Sequence, residues 1–135
     1  MSKGRKISMM EQIKQHTSIR KYEHKPIPEQ VMDDIFTAIQ MAPSWINGQQ
    51  YSVIRVTDDS VREKLVALAG NQPYIAEAAE FLVFCADFNR IQKACEYEGV
   101  NFEVDSPDYL TIATTDLGIA LGQAIIAAES FGLGT

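Results

Sequence analysis

The chain has 135 residues, 46% of them hydrophobic, which suits one globular domain. Its formal net charge is −6 and the sign is segregated: residues 1–25 carry seven Lys or Arg against Glu11 and Glu23, whereas residues 94–135 carry seven acids and no Lys or Arg. A nucleic-acid module needs a basic face through its core elements, and this gradient argues against one.

In chain order, Met9 to His16 reads as a short helix with Ser8 as its N-cap and Met9, Met10 and Ile13 on one face. A basic loop follows, kept extended by Pro26 and Pro28. Pro28 to Ala42 reads as a helix with an apolar stripe of Val31, Ile35, Ile39 and Ala42, with Met32 and Phe36, ended by Pro43. Pro43 to Gly48 is a turn-rich loop that puts the only tryptophan, Trp45, beside Ser44 and Asn47; Trp45 is expected to fill a core or line an interface. Gln50 to Thr57 reads as a strand, and Asp58 to Ala69 as a capped helix closed by Gly70. Asn71 to Tyr74 is a loop, and Pro73 to Glu80 a short helix. Phe81 to Ala86 is a continuous apolar strand, a pattern that predicts burial on both faces and pairing on both edges.

A further helix runs from Asp87 or Asn89 to about Gly99, and the acidic stretch around Tyr97, Glu98, Asp105 and Asp108 reads as exposed. The longest helix runs from Asp108 to Phe131, with Gly132 as its C-cap. It is long enough to span a bilayer, but Asp116, Gln123 and Glu129 recur along it, so it reads as the central helix of a soluble core. Ala113, Gly118, Ala120, Gly122, Ala124 and Ala127 would let other backbones approach it, and Asp116 is a candidate to pair with the basic N-terminal segment. With two confident strands, and a chain that stops at Gly-Leu-Gly-Thr135, the expectation is a unit that needs more residues or a partner chain to cover its open surfaces.

The candidate site is His16 to Lys25, a window with both histidines, Arg20, Lys21 and Lys25 and a single acid, Glu23. Its chemistry suits a phosphate or another small anion. Arg20 can fork onto two oxygens, Thr17 and Ser18 can donate hydroxyls, and His16 offers a ring N–H. The plainer alternative is a solvated basic loop, with His16 as a cation at a helix C-terminus. Cys85 reads as a buried small hydrophobe, and no Cys/His spacing fits a metal site. No apolar segment follows the charged N-terminus, so a cytoplasmic location is expected.

Several stretches carry a resemblance in order: His16-Thr-Ser-Ile-Arg-Lys-Tyr22, Lys25-Pro-Ile-Pro28, Met41-Ala-Pro-Ser44, Asn47-Gly-Gln-Gln-Tyr51, Gly70-Asn-Gln72, Ala78 to Arg90, and Ala127 to Gly134. Together they resemble the N-terminal portion of the nitroreductase family, in its NADPH-dependent flavin reductase and nitroreductase A branch. The resemblance implies an α+β, three-layer α-β-α fold, truncated after the long helix, with residues 1–135 as a single domain lacking its expected C-terminal part. It implies FMN bound at the interface of a homodimer, with His16, Thr17, Ser18 and Arg20 at the phosphate and ribityl chain, Ser44 near the flavin, and Gln72 near the isoalloxazine. Thr17 stands where the family usually has Arg.

The implied activity is NAD(P)H oxidation by two-electron hydride transfer through FMN to a nitroaromatic, a quinone or free flavin, with NADPH as donor. No side chain of the chain is nominated as catalytic, because the cofactor carries the chemistry. No nucleic acid, membrane or metal is expected. The alternatives are a non-catalytic flavin- or anion-binding fragment and a helix-mediated dimerisation piece without activity.

Overall fold

The computed structural model describes residues 8–135, so the basic residues Lys3, Arg5 and Lys6 lie outside the described part. Helix α1 (Met9–Gln15) opens with a capping box: Ser8 Oγ accepts from Glu11 N–H and the Glu11 carboxylate accepts from Ser8 N–H. Helix α2 (Glu29–Gln40) starts after Pro28 and buries Met32, Ile35 and Ile39. A one-turn 3-10 helix, Trp45–Asn47, leads to strand β1 (Tyr51–Arg55). Asp58 caps α3 (Asp59–Leu68) by accepting from Ser60 and Val61 N–H. The short helix α4 (Tyr74–Glu77), strand β2 (Leu82–Ala86) and helix α5 (Asn89–Tyr97) follow. Helix α6 (Pro107–Ser130) has 24 residues and is capped by Ser106. Gly132, at φ 76°, closes it: Gly132 N–H donates to Glu129 O and Leu133 N–H to Ala128 O, the paired bonds of a Schellman end.

The two strands pair antiparallel, with Tyr51 opposite Ala86, Val53 opposite Phe84 and Arg55 opposite Leu82. Alternation puts Tyr51, Val53, Leu82 and Phe84 on one face, and these pack with α2 and α6. The core between them holds Met32, Ile35, Ile39, Ala42, Tyr51, Ala120, Ala124 and Ala128. The buried stripe of α6 is Ala113, Asp116, Ala120, Ala124 and Ala128, spaced at three, four, four and four residues. Gly118 is exposed and has open space around it, so that glycine does not mark the close approach; Ala128, rather than Ala127, completes the stripe. By length and composition α6 could cross a membrane, yet it packs along α1, α2 and both strands.

Two expectations for β2 fail. It pairs only with β1 among the described residues, and its residues are partly exposed, Cys85 included. The reason is geometric: a two-stranded sheet leaves each strand one open edge, and the side of this sheet carrying Ile54 and Cys85 faces away from the core formed with α2 and α6. The acidic excursion is exposed as expected at Tyr97, Glu98, Asp105 and Asp108. Phe102 and Phe88 stack edge-on against Tyr109 and tie that loop to the first turns of α6.

Two arginines join the layers. Arg55 forks onto Glu80 at 2.6 and 2.8 Å and onto Glu29 at 2.5 and 3.1 Å, linking β1 to the start of α2 and the lead-in to β2. Arg62, buried on α3, has no carboxylate partner among the described residues. It donates instead to Val56 O, Ala78 O and Ala79 O, at 2.9, 2.6 and 3.3 Å, and so binds α3 to the end of β1 and to the bend between α4 and β2. Replacing it leaves these carbonyls without their donor. Arg62→Leu should lower the unfolding free energy by about 2–3 kcal/mol, read by urea denaturation.

Three carboxyls lie below their ordinary values: Glu29 through its hydrogen bonds to Arg55, Asp58 through Ser60, and Asp87 through Ser52. Each contributes stability that is complete above the ordinary carboxylate value of about 4 and is lost as pH falls through its lowered folded value. The urea midpoint should therefore hold steady down to about pH 5 and fall below about pH 4. Glu29→Gln combined with Asp58→Asn should flatten that acid limb.

Candidate functional site

The basic segment is pinned between the first helix and the end of the chain. His16 is the C-cap of α1, and its Nδ1 lies 2.5 Å from Glu129 Oε1 in the last turn of α6. Gln12 Nε2 donates to Ile126 O at 2.6 Å, one turn earlier on the same helix. Ile19 N–H donates to Thr135 O at 2.7 Å, and Tyr22 Oη–H donates back to Ile19 O at 2.8 Å. A Cβ at Gly134 would come within 2.9–3.2 Å of the Ile19 side chain, so this approach requires glycine there.

Thr17, Ser18 and Arg20 are exposed on the segment so held, and Arg20 forms no ion pair among the described residues. His16 is different. Its Nδ1 is engaged by Glu129, which leaves Nε2 as the ring atom available to a ligand.

Gly70 and Asn71 are consecutive left-handed residues, at φ 77° and 59°, and the Asn71 and Gln72 N–H groups both donate to Val66 O. That turn delivers half-buried Gln72 to the start of α4. Tyr74, two residues on, lies within electrostatic reach of Tyr22: burial raises the Tyr22 phenol, Tyr74 adds to the rise, and Arg20 opposes it.

Ser44 stands elsewhere, in the loop before β1. Its Oγ accepts from Gln49 N–H at 3.1 Å. Both oxygens of Asp116 lie 3.1 Å from Trp45 N, so the carboxylate of α6 accepts this N–H from across the fold. Asp116 thus pairs with a loop backbone and, among the described residues, with none of the basic segment; it lies near the middle of α6, whereas that segment docks at the helix's C-terminal end. Trp45 is 47% exposed and fills no core, because the Asp116 bond holds its backbone and leaves the indole outside. Gly48 makes room in this loop for the buried Gln50 amide, whose Nε2 would lie 2.8 Å from an added Cβ. Arg90 of α5 donates to Gln49 Oε1 over the same turn.

The structure holds His16, Thr17, Ser18 and Arg20 on one segment docked at the C-terminal end of α6, and Ser44 in the loop that Asp116 holds near the middle of that helix. Residue reading missed Glu129 as the partner of His16. An acid in the last turn of a helix, where the dipole favours a cation, was the available signal for Glu129.

A long central helix against a small antiparallel sheet, flanked by shorter helices, places the chain in the nitroreductase-like α+β class. Residues 13–135 match the nitroreductase family, and the chain belongs to it. It is 47% identical over 122 residues to an FMN reductase [NAD(P)H] of Bacillus subtilis, covering 89% of this chain and 49% of that one. It is 38% identical over 119 residues to an oxygen-insensitive NADPH nitroreductase of Salmonella typhimurium, covering 88% and 48%. The solved structure of the hypothetical oxidoreductase YcnD from Bacillus subtilis superposes with a TM-score of 0.90 at 43% identity, covering 93% of this chain and 51% of that one. The chain thus spans about half the length of the curated relatives it matches.

The α1 attachment can be tested separately from ligand binding. Because α1 buries no residue, Glu129→Ala should speed amide exchange across Met9–Gln15 and leave the global urea midpoint nearly unchanged.

Proposed function

We propose that this chain supplies an FMN site of an NAD(P)H-dependent oxidoreductase that reduces nitroaromatics, quinones or free flavin, with NADPH as donor. The observation that carries the reading is Arg20, exposed and without a carboxylate partner among the described residues, on a segment whose backbone is fixed at both ends. The donor set fits a phosphate monoester: a guanidinium fork, the hydroxyls of Thr17 and Ser18, and His16 Nε2. Gln72 offers an amide with both donor and acceptor, which suits a ring edge bearing carbonyls and nitrogens. Bound FMN would supply two-electron hydride chemistry between NAD(P)H and the acceptor. The residues of the chain bind the phosphate, neutralise its charge and orient the ring.

The two candidate regions hang from α6 thirteen residues apart, at Asp116 and Glu129, about 20 Å along a helix axis. That spacing supports a site shared between two copies, in which Ser44 serves the flavin held by the opposite subunit. The exposed side chains of Met41, Trp45, Ile46, Leu110 and Leu121 supply apolar surface for such a homodimer. We read residues 1–135 as one domain of a cytoplasmic protein, with neither nucleic acid nor membrane as partner.

A second reading, a flavin- or anion-binding piece without turnover, is favoured by the open sheet edges among the described residues. FMN titration followed by quenching of flavin fluorescence tests binding, and anaerobic bleaching of the flavin band by NADPH tests turnover. Arg20→Ala should weaken FMN about tenfold or more, with riboflavin, which lacks the phosphate, unaffected. Equal FMN affinities for the two proteins would overturn the phosphate assignment.

A further inference from the structure

Asp116 is 4% exposed on the alanine stripe of α6, a carboxylate that forms no ion pair among the described residues. A buried, unpaired charge opposes folding, and a residue of similar volume without charge would pack the stripe at less cost. What the carboxylate does is accept the Trp45 N–H with both oxygens at 3.1 Å.

Trp45 is the first residue of the turn, and its N–H is one that an N-cap side chain, which reaches the second or third N–H, does not take. Here the N-cap is Ser44, and its side chain makes no cap bond. Its Oγ instead accepts Gln49 N–H across the loop, and its proton is left free to donate. The turn so held is strained: Ile46, Asn47 and Gln49 all have left-handed φ, at 49°, 56° and 49°, and a β-branched residue such as Ile46 rarely adopts it. Strained loop backbone persists where surrounding contacts over-determine it, and Asp116 is the contact from the rigid core.

We infer that Asp116 is the positioning residue of the Ser44 loop: by accepting the Trp45 N–H from α6 it holds the turn that presents the Ser44 hydroxyl to the flavin ring. This rests on the proposed FMN function, and the test separates the two. The probe is FMN, and the readouts are flavin fluorescence together with amide exchange and amide chemical shifts of the whole chain. In the wild-type chain, Trp45 N–H should be protected although its side chain is half exposed. Asp116→Leu should weaken FMN about tenfold and shift the Trp45 and Gln49 amides while those of β1 and β2 stay in place. Asp116→Asn keeps one oxygen acceptor and should recover most of the affinity.

An unprotected Trp45 amide in the wild type would overturn the inference. So would wild-type FMN affinity in Asp116→Leu with the loop amides displaced. If Asp116→Leu does not fold, Asp116→Asn decides: weak FMN binding with Trp45 protection intact would mean that the charge, not the placement of the loop, is what matters, and would also overturn it. Failure of the wild-type chain to bind FMN while Trp45 is protected would sink the proposed function, and with it the role assigned to Ser44, but not the clasp.

Discussion

Close approach along the alanine stripe of α6 is the constraint on which the other elements depend. Ala120, Ala124 and Ala128 have no side-chain bulk to hold neighbouring backbones away, so α2 and the sheet both seat against one helix. The larger side chains come from the neighbours: Met32, Ile35 and Ile39 from α2, Tyr51 from β1. Each fully buried aliphatic chain contributes about 2 kcal/mol. A larger residue on the stripe would push both neighbours outward, because a packed interior does not accommodate added volume.

The same helix carries two polar side chains toward loops, and these organise the functional surface. Glu129, near its end, holds His16 and the entry to the basic segment. Asp116, near its middle, holds the turn that follows α2. One rigid element thereby sets the position of both loops that carry the candidate residues. The tyrosines act in a similar way at shorter range. Tyr51 Oη–H donates to Ile39 O and fixes β1 to the end of α2, while Tyr22 closes the basic segment on itself.

Much of the fold was legible because it is local. The caps at Ser8 and Asp58, the stop at Pro43, the turn at Gly70 and the closing Gly132 each follow from the backbone chemistry of one or two residues, and the elements begin and end within a few residues of where those signals put them. The apolar stripe of α2 was legible from its period, and Met32, Ile35, Ile39 and Ala42 are buried as a result. Strand β2 was misread because an uninterrupted apolar run reports the wish for burial and not the number of strands available to provide it. On α6 the small residues were visible, but a helix apolar on more than one side does not show which of them face the core: Gly118 is exposed, and Ala128 stands on the buried stripe where Ala127 was expected.

The sequence by itself determined the family, the order of helices and strands, and the residue types that could meet a phosphate, since each is written in short contiguous stretches: His16 to Tyr22, Asn47 to Tyr51, Ala127 to Gly134. Only the tertiary structure decided which of those residues are neighbours. It committed His16 Nδ1 to Glu129, and sent Asp116 to the Trp45 backbone and not to the basic segment. These pairings are separated by 50 or more residues, and they are set by where α6 runs through the fold, which no local pattern records.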